Sequence, residues 1–394
     1  MNNKYDVIVV GGGPAGGTAA FFLGQAGRRV LVLEKEILPR YKACGGGVSI
    51  RMLEQFPFSF ESVIESKAKA ISYALGDEIV TVPSSDQSLR MVMRDKFDAF
   101  LLEHADAEIR QSVAVRAVEE VEDGVVVETT QGERIEGSYL IAADGANSVV
   151  ARSLGLRQKK VMAGAIEVEA AVPRNVLARF AEKPVFIFGE IGIGYLWIFP
   201  KSDHLSVGIG ALHPQPGELQ TTLSRVMTRY GISIEGQPRK GHPLPIYTHR
   251  EQISTPRTLL VGDAAGLVDP FSGEGIRFAI KSGRLAAEAI LCGHPERYAS
   301  SVDRQIGRNH RLGINLTNLF YSLPQPYFEL GARNPFVTRA IMDMLADRIG
   351  YGGVLLQSFG TLPLFLLTEV IARMGGLIGG PKLKDSLRRT VYSL

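Results

Sequence analysis

The chain has 394 residues, of which 45% are hydrophobic and 22% charged. That length exceeds one ordinary domain, so two lobes, or one lobe with large insertions, are expected around a sizeable core. A net charge of +3, dispersed apart from short groups such as Arg388-Arg389, does not argue for nucleic acid, and two cysteines, Cys44 and Cys292, build no disulfide framework and suit a reducing compartment.

The N-terminus enters an apolar run almost at once, which leaves no room for a signal peptide and points to a cytoplasmic chain. Residues 7–10 are continuously apolar, the pattern of a parallel strand covered on both faces. Gly11 permits a tight turn, Gly13 lets backbone approach a pyrophosphate, and Gly16 lets the next helix lie close to the strand. That helix offers unpaired N–H groups and a positive dipole end to phosphate. A second strand, Val30–Leu33, ends in Glu34, placed to hydrogen-bond a ribose hydroxyl. Ala15 and Lys35 adjoin these positions and join the candidate contacts. The unit binds a dinucleotide.

Residues 40–47, Arg-Tyr-Lys-Ala-Cys-Gly-Gly-Gly, set Cys44 between Lys42 and a glycine turn. A thiol there could deliver a proton, gate access, or fill space as a small apolar group. Arg94, in Arg-Asp-Lys-Phe-Asp, either meets the ligand or forms a surface ion pair with Asp95 or Asp98. Residues 108–144 read as a small β-meander feeding a short strand that returns to the main sheet and ends at Asp144. Residues 161–254 are rich in short strands, at 165–172, 184–188, 194–199 and 205–210, and suggest a mostly antiparallel second lobe. On the third of these, Tyr195, Trp197 and Phe199 point to one side. They form either the wall of an apolar slot or ordinary packing between lobes.

Residues 258–263 are another buried strand ending in Gly262-Asp263, followed by Gly273-Glu274-Gly275 and a helix from about Ile276 to Leu291. The remainder is helical in pattern, broken near Pro324, Pro326 and Pro335. Residues 351–368 carry no charge but are interrupted by Gly352, Gly353, Gly360 and Pro363 and flanked by Arg348, Arg373, Lys382 and Lys384. Two readings stay open there, a buried helix pair capping an apolar cavity and contact with a membrane surface; a transmembrane span is disfavoured. His213, His242 and His249 lack metal-ligand spacing, so no metal site is expected. Cys292 reads as structural. No second dinucleotide fingerprint follows, so an electron donor must dock transiently.

Taken together, Gly11-x-Gly13-x-x-Gly16, Glu34, residues 94–98, Asp144-Gly145 and Gly262-Asp263 resemble FAD-dependent oxidoreductases of the aromatic-hydroxylase type over about the first three hundred residues. The segments 40–47 and 195–201 resemble the geranylgeranyl reductase family within that superfamily. The resemblance implies an α/β fold: a Rossmann-type FAD-binding domain split over 1–70, 91–160 and 255–295, a substrate domain of strands at 71–90 and an antiparallel sheet at 161–254, and a helical region at 296–394. It implies FAD contacts from Asp263 to the ribityl or pyrophosphate part, from Arg94 at the domain edge, and from the Val115 backbone to adenine. Gly45, Gly47, Asp144, Gly273, Gly275 and Ile276 complete that set, the last three at the flavin's pyrimidine edge, where a helix N-terminus favours the reduced, anionic ring. The implied reaction saturates isolated carbon–carbon double bonds of an isoprenoid substrate, using NAD(P)H or reduced ferredoxin as donor, with Cys44 as the catalytic candidate and Tyr195, Trp197 and Phe199 lining the substrate slot. A flavin monooxygenase acting on an aromatic or polyketide is the rival enzyme, and a non-catalytic flavin-binding lipid carrier the rival of another class.

Overall fold

The computed structural model describes residues 4–84 and 89–392, and side chains through Met374 except at Arg333, Glu369, Ala372 and Arg373. The apolar run at the N-terminus forms the strand Tyr5–Val10, which pairs in parallel with Val30–Leu33 on one side and Arg134–Ala142 on the other. Glu108–Arg110 extends this sheet beyond Val30–Leu33, and Thr258–Leu260 extends it beyond Arg134–Ala142, both in parallel. Parallel strands must be joined by crossovers. The first is the helix Pro14–Gln25, whose opening proline has φ pre-set for a helix and no N–H to satisfy. The meander Val115–Val121 and Gly124–Thr129 pairs antiparallel with the first half of Arg134–Ala142. That strand is nine residues long rather than short, because its two halves serve different neighbours.

A second seven-stranded sheet runs Lys240–Ile246, Val161–Ala170, Leu205–Leu212, Gly194–Pro200, Val185–Phe188, Ala70–Leu75 and Glu78–Pro83. It is antiparallel except where Val185–Phe188 pairs with Ala70–Leu75. Alternation gives it two distinct faces. Ile166, Val168, Leu196, Ile198, Val207 and Ile209 point to one face and form a core with the helix Glu218–Arg229. The other face looks back toward the nucleotide sheet. A third, three-stranded sheet of Gly47–Ser49, Leu89–Val92 and Ile64–Lys67 carries the chain between them.

The helix Ile276–Leu291 packs closely on Pro14–Gln25; a Cβ at Gly283 would lie 2.3 Å from the Ala15 carbonyl oxygen. Beyond it, Arg308–Ser322, Pro324–Arg333 and Pro335–Leu345 lead to one uninterrupted helix, Tyr351–Tyr392. Of the two readings left open for residues 351–368, the buried helix pair is not what forms. Gly352 and Gly353 fall in the first turn, where few intrahelical bonds are at stake, and the leucines that follow are strong helix formers. Nor is the segment buried: Leu356, Phe359 and Leu367 are 76%, 70% and 58% exposed. By length and composition residues 351–368 could cross a bilayer, with 22% of that window buried. Of the expected basic flank, Arg348 pairs with Asp343 at 2.8 Å, while the side chains of Arg373, Lys382 and Lys384 lie outside those described.

Candidate active site

A cavity of about 950 Å³ runs from the end of the first strand to the inner face of the second sheet. This is at the upper end of the size range of small-molecule sites, roughly 300–1,000 Å³. Its floor at one end is the glycine turn. Gly11 sits at φ +103°, and a Cβ there would lie 2.3 Å from the Ala143 carbonyl oxygen; a Cβ at Gly16 would lie 1.9 Å from the Gly11 oxygen. Only glycine closes this turn. Gly13 differs, since a Cβ would meet nothing nearer than 3.6 Å and would instead occupy the open cradle. Helix Pro14–Gln25 starts there with no side chain capping it, as an anion site requires.

Three cations surround the cradle. Arg94 is buried and donates to Asp98 through Nε and Nη2 at 2.8 and 2.7 Å, so its ion pair is internal rather than on the surface. Arg40 Nη1 lies 3.2 Å from the same carboxylate but without hydrogen-bond geometry, leaving that donor open. Lys42 Nζ lies 3.6 Å from Asp263 Oδ2. Burial pushes the Asp263 carboxyl up, but Lys42 and then His242, 3.8 Å away, outweigh it and hold the group well below the usual carboxylate range. Lys42 is itself pushed down, first by burial and then by Arg94, so the pair favours the carboxylate more than the ammonium.

Glu34 ends the second strand buried, with Oε2 accepting from the Gly12 N–H at 2.7 Å and Oε1 from Glu36 at 3.0 Å. Its remaining acceptor capacity borders the cavity beside Lys35 and Val115. Asp144 divides its work. Oδ2 accepts from Val149 and Val150 at 2.7 and 3.1 Å, while buried Oδ1 has no donor among the described residues. Gly275 opens the helix Ile276–Leu291 without a side-chain cap, and a Cβ there would lie 3.5 Å from Asp263 Oδ1. Gly273, Gly275 and Ile276 all line the cavity, as does Ala15. A cradle with an open glycine floor, two uncapped helix starts and the side chains of Arg40, Lys42 and Arg94 around it fits a dinucleotide pyrophosphate.

At the far end, cross-strand register builds the wall. Tyr195 stands opposite Gly210 and Trp197 opposite Gly208 on the neighbouring strand. A Cβ at Gly208 would lie 2.1 Å from Trp197 Cζ2, so the indole lies across that glycine. The rings of Tyr195, Trp197 and Phe199 follow one another at 6.4 Å spacing, and Phe186 closes on Phe199 at 5.1 Å. All four line the cavity, yet Trp197 and Phe199 also press on Gly45, whose Cβ would meet Phe199 at 2.8 Å. Slot wall and inter-lobe packing are therefore the same surface. Cys44, Gly45 and Gly47 lie along it; Cys44 Sγ accepts from the Gly46 N–H at 3.4 Å. Cys292 is exposed at the end of its helix, away from this cavity.

Several residues here were not legible in the chain. Asp269 is fully buried and holds the loop before the second helix: Oδ1 accepts from Phe271, Ser272 and the Tyr351 hydroxyl at 2.9, 2.8 and 2.7 Å. Tyr195 donates its hydroxyl to the Ser272 carbonyl of that loop. Glu274, facing the cavity, is pushed up to about 7 by burial, with Asp269 and Asp347 adding to it against Arg277 at 2.9 Å. Glu167 lines the cavity, and Glu169 shares its face of the strand; the signal available was their i, i+2 spacing among Ile166 and Val168.

Fold and cradle together define a flavin-type dinucleotide protein, and a family model for an FAD binding domain matches residues 4–292. The chain is 31% identical over 376 residues to the chloroplastic geranylgeranyl diphosphate reductase of Oryza sativa, covering 86% of this chain and 78% of that protein. It is 32% identical over 334 residues to digeranylgeranylglycerophospholipid reductase 2 of Methanothermobacter thermautotrophicus, covering 78% and 85%. The crystal structure of a geranylgeranyl bacteriochlorophyll reductase-like protein from Thermoplasma acidophilum superposes with a TM-score of 0.73 at 24% identity, over 90% of this chain and 96% of that one, which speaks to the fold. The chain belongs to the geranylgeranyl reductase family of FAD-dependent oxidoreductases.

Proposed function

We propose that the protein saturates isolated double bonds of an isoprenoid chain, using FAD held between the glycine cradle and the helix at Gly275. One observation carries this reading: a cavity joins a glycine-floored cradle, with Arg40, Lys42 and Arg94 at its rim, to a wall of aromatic rings. Reduced FAD, when bound, supplies a hydride. Gly11, Gly13 and Gly16 with Arg40, Lys42 and Arg94 would hold its pyrophosphate, Glu34 and Val115 its adenosine end, and Asp263 its ribityl chain. Asp144 Oδ1 and the N–H groups at Gly273–Ile276 would complete the contacts.

An isolated alkene has no carbonyl to drain charge, so a proton must arrive with or before the hydride. The cation so formed lies against Tyr195, Trp197 and Phe199, each desolvated ring supplying about 1–2 kcal/mol. The same wall excludes water from the reacting carbon. We assign Cys44 to contact with the substrate at the edge of this wall. The exposed apolar side chains between Leu356 and Met374 would meet a lipid surface from which such a substrate is drawn. NAD(P)H or reduced ferredoxin would reload the cofactor by transient docking.

The test is to reduce the purified flavoprotein without oxygen and add a geranylgeranyl compound. Reoxidation of the cofactor with formation of a saturated prenyl product supports the reading. Binding without reoxidation indicates a carrier. Substrate-dependent oxygen uptake with a hydroxylated aromatic product indicates a monooxygenase.

A further inference from the structure

The chain's own acids offer a source for the proton that the reaction consumes. Glu167 is 1% exposed, lines the cavity, and stands on the same sheet row as Gly208 and Trp197. Its Oε1 accepts from the Ser206 hydroxyl at 2.7 Å, and Oε2 has no other donor among the described residues. Two positions along the same strand, and so on the same face of the sheet, Glu169 carries the next carboxyl. Glu169 Oε2 is 2.9 Å from His204 Nε2, and His204 Nδ1 is 2.6 Å from Asp203 Oδ1, whose side chain is 83% exposed.

We propose that Glu167 is the proton reservoir of the cavity, recharged from solvent through Glu169 and His204, and that the proton added to the substrate's double bond originates there. This rests on the reductase reading above. The balance is simple: the Glu167 O–H bond breaks and a C–H bond forms on one alkene carbon. Hydride from the reduced cofactor forms the second C–H bond, and the Glu167 carboxylate is reprotonated by Glu169, which draws on imidazolium His204. One proton from solvent is consumed per double bond.

Surrounding charges are consistent with a reservoir loaded at neutral pH. Burial first, and the Glu169 carboxylate second, push Glu167 well above the ordinary carboxylate range, against Lys201. Lys201 is buried and spends its ammonium on the Gly45 and Val92 carbonyls at 2.8 and 2.9 Å. Tyr41 faces both acids from the loop before Cys44, and Lys240 stands opposite Glu167 at the outer strand. His204 is raised by Glu169 and Asp203 despite burial, so it is ready to donate inward. Glu274 also faces the cavity, but its partner Arg277 stays protonated and cannot pass protons on.

The experiment is single-turnover reoxidation of the reduced holoenzyme by a geranylgeranyl compound across a pH series. Wild type should be fast at neutral pH and slow on the alkaline side as the proton leaves Glu167. Glu167→Gln should slow the step by at least about 100-fold and abolish that alkaline limb, with bound FAD and its reduction by dithionite unchanged. His204→Gln, near the surface, should leave the first turnover fast but slow steady-state turnover, with partial rescue by added imidazole; it serves also if Glu167→Gln does not fold. If wild type reoxidises normally and Glu167→Gln matches it at every pH, or His204→Gln matches wild type in steady state, the relay is wrong and the reductase reading survives. If no prenyl compound reoxidises wild type, the reductase reading itself falls and the relay with it.

Discussion

Replacing Trp197 separates its two duties. The indole is 8% exposed, pressed between Gly45, Gly208 and Phe199 on one side and open to the cavity on the other. A buried Trp→Ala change costs about 3–5 kcal/mol. With one side already open, Trp197→Ala should fall near the lower value, about 3 kcal/mol, or roughly 4 °C in thermal midpoint for a chain of this length. The hydride step should lose one ring's cation stabilisation, about 1–2 kcal/mol, which is roughly 5–30-fold in kcat/KM on a long prenyl chain. Nε1 has no partner among the described residues, so Trp197→Phe should keep most of both quantities. Thermal melts followed by flavin fluorescence, beside kcat/KM on twenty- and ten-carbon prenyl substrates, measure the two effects independently. The reasoning is refuted if Trp197→Ala leaves long-chain kcat/KM intact, or if FAD is lost in proportion to activity.

Gly208→Ala should imitate Trp197→Ala, because its Cβ would lie 2.1 Å from the indole, whereas Gly210→Ala, with nothing nearer than 3.7 Å, should leave melting unchanged; parallel melts decide. Cys44→Ala should retain FAD and lose most prenyl reduction, and unchanged turnover would remove the residue from the substrate contacts. Asp263→Asn should weaken FAD retention, read by dialysis and absorbance. Its depressed carboxyl contributes stability that is present above the ordinary carboxylate value and lost as pH falls through the folded-state value, so the variant should also show a shallower acid-unfolding limb; an unaltered limb would mean Lys42 and His242 do not act on it.

Local patterns carried the nucleotide half. An apolar run, three glycines at tight spacing, a helix and a closing acid interact over thirty-odd residues, and their roles follow from turn geometry and strand burial alone. The helix at Ile276–Leu291 and the strand-rich middle were legible for the same reason, since period and composition are local properties. So was the ring stripe of Tyr195, Trp197 and Phe199, although not what faced it.

Tertiary structure decided everything that needed two distant segments at once. Register set Gly208 and Gly210 under the rings from the next strand, and brought Glu167 into their row from a strand about forty residues earlier, which no periodicity encodes. Asp269 became the anchor of the loop before helix Ile276–Leu291 only when Tyr351 folded back onto it. Arg94, a candidate surface pair in the chain, became an internal one because helix Arg94–Glu103 is packed against the cradle. The C-terminal helix ran on through its glycines and Pro363, since helix continuity is set by the balance of propensity over many residues rather than by its weakest positions. Spacing along the chain specifies turns and faces; which faces meet is settled only by burial across the whole molecule.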